Sequence, residues 1–158
     1  MTIHQLLLFL ENNIAIVLAI SIALVVITFF LPRKACIPLL FAYVIFILYL
    51  TLLSRGPAKR LVNMDITVTI KKMFGSNDLA RTEVLCNILM FMPLGAMVGK
   101  VKPRWFWMIT VLSILIEAIQ YIGKLGMCDI GDVVTNTIGG FVGLGVWKLE
   151  GKIKADPT

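Results

Sequence analysis

The chain has 158 residues, 59% of them hydrophobic and 15% charged, and its mean hydropathy is +0.93. A soluble domain is about half apolar and about a quarter charged, so this composition excludes an ordinary soluble enzyme or binding module, and it excludes disorder as well. The net charge of +6 comes from fifteen Lys/Arg against nine Asp/Glu; without a basic patch interleaved with aromatics it reads as span-flanking charge, not nucleic-acid binding. What remains is a single-domain, all-α integral membrane protein over residues 1–158. The lone His4 and the three cysteines, Cys36, Cys86 and Cys128, lack metal-motif spacing, so a His/Cys zinc site is not expected, and no cofactor is assigned.

In chain order, Ile3 to Leu10 reads as a short interfacial helix. The start lacks a basic region, and the first apolar run is too long for a cleaved signal. A spanning helix needs about 20 mostly apolar residues. Five stretches approach that: Ile14–Leu31, Cys36–Ser54, Val84–Gly99, Trp105–Ile122 and Val133–Leu149. The third carries Asn87 and Pro93 and is read as starting as early as Asn77 or Asp78, as a capped helix. These spans are expected to form a compact bundle. The long connection from Arg55 to about Glu83 contains Ile66, Val68 and Ile70 alternating with Thr67, Thr69 and Lys71. That alternation predicts a strand or an interfacial segment. Gly95 with Gly99, and Gly139 with Gly143, are small-xxx-small pairs that let membrane helices approach closely.

Five spans sort the loops onto two sides. One side collects Arg33, Lys34, Lys100, Lys102, Arg104, Lys148, Lys152 and Lys154 in short segments, which dominate topology. That side is expected to be cytoplasmic, with the C-terminus inside and the N-terminus outside.

The polar residues of the spans converge on the other side. Arg55 closes span two there, Asn87 opens span three, Glu117 and Gln120 lie in the last turns of span four, and Asp129, Asp132 and Asn136 open span five. An ionisable residue inside a span costs roughly 2.5 to 3.5 kcal/mol on insertion scales. Glu117, between Ile114, Leu115, Ile116, Ala118 and Ile119, therefore needs a partner or a wet cavity, and Arg55 is the natural counter-charge. Glu117 and Gln120 share one helix face at i, i+3, and Asp132 and Asn136 share another at i, i+4. Plain structural readings stand beside these. Asp129 or Asp132 reads equally as a helix cap, Gln120 and Asn136 as interhelical hydrogen bonds, and Glu117 with Arg55 as a buried ion pair. Lys71 and Lys72 read as a headgroup contact. Cys86 and Cys128, both at outer ends of spans, read as two thiols or as a disulfide.

Four segments, in this order, resemble the VanZ-like family of bacterial membrane proteins: YLTLLSR ending at Arg55, NILMFMPLG from Asn87 to Gly95, SILIEAIQ from Ser113 to Gln120, and CDIGDVVTNTIGG from Cys128 to Gly140. The resemblance covers roughly residues 49–145, and Asn63 matches an Asn of the family's long loop less securely. Two departures stand out. Gly126 occupies the place of a family Arg; if that Arg binds an anion in relatives, Lys124 or Arg81 would have to substitute for it, or specificity differs. Gly131 precedes Asp132 where the acidic pair is often contiguous. The resemblance implies glycopeptide tolerance, particularly to teicoplanin, in the bacterial cell membrane. The convergence of the span residues gives the expectation of an outward polar pocket, which is on the correct side for an antibiotic or envelope lipid. Arg55, Asn87, Gln120, Asp129 and Asn136 would bind a membrane lipid, a lipid-linked cell-wall precursor or a lipoglycopeptide. Alternatives are an enzyme with Glu117 as acid or base, Asp132 beside it and a divalent cation on Asp129 and Asp132, and a non-catalytic structural subunit.

Overall fold

The computed structural model describes residues 14–53 and 61–155. Helix α1 spans Ile14–Phe30. Helix α2 spans Arg33–Leu48 and runs on into a π-helical turn, Tyr49–Leu53. Strand β1 (Val62–Asn63) and helix α3 (Ile66–Phe74) form the connection to α4 (Asp78–Val101). A 3-10 turn, Pro103–Trp105, leads into α5 (Trp107–Gly123). Strand β2 (Cys128–Asp129) then opens directly into α6 (Ile130–Ala155). The fold is thus all-α and of membrane type. Arg33–Leu52, Asp78–Val101 and Pro103–Gly123 are long and apolar enough to cross a membrane. The two further spans expected from the sequence fall on α1 and α6. The expected interfacial helix at Ile3–Leu10 lies outside the described residues.

Local chemistry sets the helix boundaries. The Asn77 side chain accepts from the amides of Leu79 and Ala80 at 3.1 and 3.3 Å, which starts α4 at the early position expected of a capped helix. At the end of α5, Lys124 takes a left-handed conformation with φ 55°. The Leu125 amide then returns to the Gln120 carbonyl at 2.8 Å, closing the last turn in the manner of a Schellman motif.

Helix α4 is central and touches α1, α2, α3 and α6. Its Phe91, Leu94 and Met97 meet Tyr43 and Ile47 of α2 and Ile109 and Ile116 of α5 in one buried apolar core. Pro93 leaves α4 one amide donor short. The helix nonetheless runs on, and one turn before it the Met90 carbonyl accepts the Tyr43 hydroxyl at 2.8 Å. The α4–α6 contact is closer still. A Cβ added to Gly139 or Gly143 would land on the carbonyl oxygen of Ile88 or Met92, and one added to Gly95 on that of Gly140. Gly95, Gly139 and Gly143 thus remove side chains where two backbones touch, and Gly99 makes room for the Leu144 and Trp147 side chains.

At the end of the bundle opposite α3, basic side chains close helix C-termini. Arg33 donates to the Val101 carbonyl, and Lys100 donates to the Thr28 and Phe29 carbonyls. Both satisfy acceptors that a helix end leaves open. Lys102 lies 4.0 Å over the Trp105 ring.

Of the two readings of the long connection, the strand is overturned. Residues Ile66 to Ile70 form no strand. They open α3, because Asp65 caps the helix by accepting from the Thr67 amide at 2.9 Å. The same residues that alternate in a strand also put Ile66, Ile70 and Phe74 on one helix face at i, i+4 and i+8. The strand forms earlier, where Val62 and Asn63 pair in parallel with Cys128 and Asp129. That two-residue ladder, with the Cys128 amide donating to Leu61, ties the long connection to the entrance of α6.

Candidate functional site

The start of α6 organises the polar residues. A helix N-terminus presents unpartnered amides and a partial positive charge, and it favours carboxylates. Three gather there. Asp129 caps α6, its Oδ1 accepting from the Gly131 amide at 2.8 Å. Glu117, from α5, accepts the Asp129 amide at 2.9 Å through Oε2. Asp132, in the first turn, accepts from Asn87 Nδ2 of α4 at 2.9 Å. Glu117 and Asp129 are buried, at 3% and 2% exposed. Backbone amides and the helix dipole are what make their burial tolerable.

Two residues of the long connection complete the cluster. Asn63 Nδ2 donates to Asp129 Oδ1 at 3.2 Å. Lys72 of α3 lies 3.8 Å from Asp129 Oδ2 and 3.0 Å from Glu83 Oε2. Burial works against its charge, but the bond to Glu83 and the charges of Glu83, Asp132 and Asp129 outweigh that, so its pKa is raised. Reading Lys72 as a headgroup contact is therefore incorrect: the helical twist of α3 turns it inward, beside the buried Thr69. Its signal in the sequence was helical spacing, hidden by the stronger alternation of period two. Gly131 is explained by the same packing, since a Cβ there would strike the Thr69 hydroxyl.

One turn and more away, the two buried amides take structural partners. Gln120 Nε2 donates to the Thr51 carbonyl of the π-helical turn at 3.0 Å, and Asn136 Nδ2 donates to Ser113 Oγ of α5 at 2.8 Å. Their oxygens, Gln120 Oε1 and Asn136 Oδ1, are buried without a hydrogen-bond partner among the described residues. Asp132 and Asn136 thus share a helix but bond different neighbours, α4 and α5. Arg55, the expected counter-charge of Glu117, lies outside the described residues. Arg81 donates to the Gly75 carbonyl and pairs with Asp78, and Lys124 is exposed. Among the described residues the cation at the carboxylates is Lys72.

No disulfide joins Cys86 to Cys128. Burial, then the charges of Glu117 and Asp129, push the Cys128 thiol above its usual pKa. Among the described residues no three His, Cys, Asp or Glu side chains form a metal-binding group. The Asp129 oxygens already face an amide, an Asn donor and a lysine, so the donor set suits hydrogen bonding better than a divalent cation.

Fold and site together define a small helical membrane protein with a carboxylate cluster at one end of its bundle. The chain belongs to the VanZ/LLP1 family, whose model matches residues 40–151. It is 38% identical over 76 residues to Protein VanZ of Enterococcus faecium, a match covering 44% of this chain and 47% of that protein. The chain thus spans about half the length of that curated relative. No solved structure matches it.

Proposed function

We propose that the cluster around the start of α6 is a ligand site that links this membrane protein to glycopeptide tolerance, particularly to teicoplanin. It would bind or modify a cell-envelope lipid or a lipid-linked cell-wall precursor. The observation that carries this reading is the gathering of Glu117 from α5, Asp129 from β2 and Asp132 from α6, with Asn63, Lys72 and Asn87 about them. Ionisable groups at membrane depth are costly and mark functional sites by default. Arg55 would meet an anionic headgroup, and Gln120 and Asn136 would offer their spare amide oxygens to donors. The chain would cross the bacterial cell membrane five times. The basic end, with Arg33, Lys100 and Lys102, would lie in the cytoplasm and the carboxylates outside, as the positive-inside rule favours.

The test is teicoplanin susceptibility of a Gram-positive host making the wild type or Glu117→Gln, with vancomycin as control and membrane levels matched by blot. The glutamine keeps an oxygen for the Asp129 amide, so the fold should persist. Tolerance from the wild type that the equally abundant variant lacks is the expected result. Equal protection by both would make Glu117 structural and remove the site from the function. Protection by neither would separate the family resemblance from this role.

A further inference from the structure

We infer that α3 is a membrane-surface helix, seated through Ile66, Ile70 and Phe74 in the lipid boundary of the leaflet at the carboxylate end. The inference stands apart from the proposed function. Around α3 the exposed arc is divided: Ile66, Ile70 and Phe74 form its apolar half, and Thr67 and Lys71 form the adjacent polar half. Thr69 is buried, and Lys72 is turned to Glu83 and Asp129. Phe74 is 83% exposed, so the rest of the chain does not cover it. Leu61 and Met64, before α3 in the chain, and Leu79, after it, are exposed apolar residues as well.

Depth identifies what covers this surface. At the far end of α4, Lys100 and the flanking Lys102 and Trp105 make the basic and aromatic collar typical of a membrane boundary. Glu83, which holds Lys72, lies seventeen residues before Lys100 on the same helix, or about 26 Å along its axis. A hydrocarbon core is about 30 Å thick. Helix α3 therefore meets α4 near the second boundary, where apolar side chains sink into the acyl edge and a neighbouring lysine meets lipid phosphate. Lys71 is placed for that, on the polar flank of the apolar stripe. The two adjacent lysines then divide their work: Lys71 faces the lipid surface and Lys72 the carboxylates. Helix α3 lies across the cluster at headgroup level, held by Lys72 and by the Thr69–Gly131 contact.

The experiment places an environment-sensitive fluorophore at Ile70→Cys, Phe74→Cys or Thr67→Cys. The background has Cys36, Cys86 and Cys128 replaced, and the full chain is reconstituted in phosphatidylglycerol–phosphatidylcholine nanodiscs. Shallow doxyl-labelled lipid should quench positions 70 and 74 several-fold more than iodide does, with the order reversed at 67. Iodide reaching 70 and 74 as readily as 67 would put α3 in water and overturn the inference. Protection of 70 and 74 from both quenchers would overturn it too, by making the cover a protein surface. If the cysteine-free chain fails to fold, hydroxyl-radical footprinting of the unaltered chain in the same nanodiscs decides. Phe74 should be oxidised no faster than Phe41, an exposed residue of the spanning α2, whereas several-fold faster oxidation would refute a lipid-covered α3.

Discussion

The two halves of α6 are held to the bundle by opposite means. Its first turn is held by hydrogen bonds and charge, through Asp129, Asp132 and their partners from α3, α4 and α5. About two turns further on, side chains vanish, and Gly139, Gly140 and Gly143 bring its backbone against Ile88, Gly95 and Met92. The difference teaches how the site is positioned. Lipid gives no hydrophobic drive between helices, so close backbone packing must supply it. Packing that close tolerates little error, and it fixes the α4–α6 separation at which Asn87 can reach Asp132. The polar end then needs to contribute little stability.

The sharpest way to break this comparison is to wedge the glycine seam. Gly143→Ala puts a methyl against the Met92 carbonyl and should cost about 1–3 kcal/mol as overpacking does. Gly143→Leu should remove folded protein altogether. Thermal unfolding in detergent and the monodisperse fraction on size exclusion measure both. At the polar end, Asp129→Ala should cost about 1 kcal/mol for the lost cap, visible as a smaller drop in melting temperature. Asp129→Asn should recover much of it, since an amide oxygen still accepts from Gly131. Asn87→Ala should cost about 0.6 to 1.7 kcal/mol, the scale of a polar contact between membrane helices. Equal losses from Asn87→Ala and Gly143→Ala would erase the contrast.

Two smaller effects sharpen it through pH. The Lys72 charge contributes fully below the ordinary lysine pKa of 10.5 and is lost as pH rises through its raised value. Stability should thus fall on the alkaline side, and less so in Glu83→Gln, because a half-exposed pair is worth less than about 1 kcal/mol. Alkylation of Cys128 should be slow at neutral pH and should reach half its maximal rate above the usual thiol pKa. In Glu117→Gln that midpoint should move down, because a negative charge that disfavours the thiolate is gone. Iodoacetamide kinetics against pH, with Cys128 read by mass spectrometry, measure the shift.

Much was readable without a structure. Apolar runs such as Ile14–Leu31 and the charge-poor stretch ending at Ser54 announce helices by length, because a bilayer demands it. The Asn77 cap and the paired glycines carry local rules that act through a few neighbours. The convergence of Asn87, Glu117, Asp129 and Asp132 at one level followed from counting residues along spans. The strand read at Ile66–Ile70 shows the limit. The residues I-T-V-T-I satisfy both a period of two and a helix stripe, and the deciding contact is the Asp65 cap at their start.

The sequence by itself determined that this is a helical membrane protein, where its apolar helices run, and that the polar residues of its spans gather at one end, since each of those follows from composition or from spacing along one chain. Only the tertiary structure decided which group bonds which. It drew Glu117 to the Asp129 amide, brought Lys72 onto Asp129 from fifty-seven residues away, and matched Gly131 to Thr69. Those pairings depend on the orientation of helices that are distant in sequence. Helix packing sets that orientation, and no local pattern encodes it.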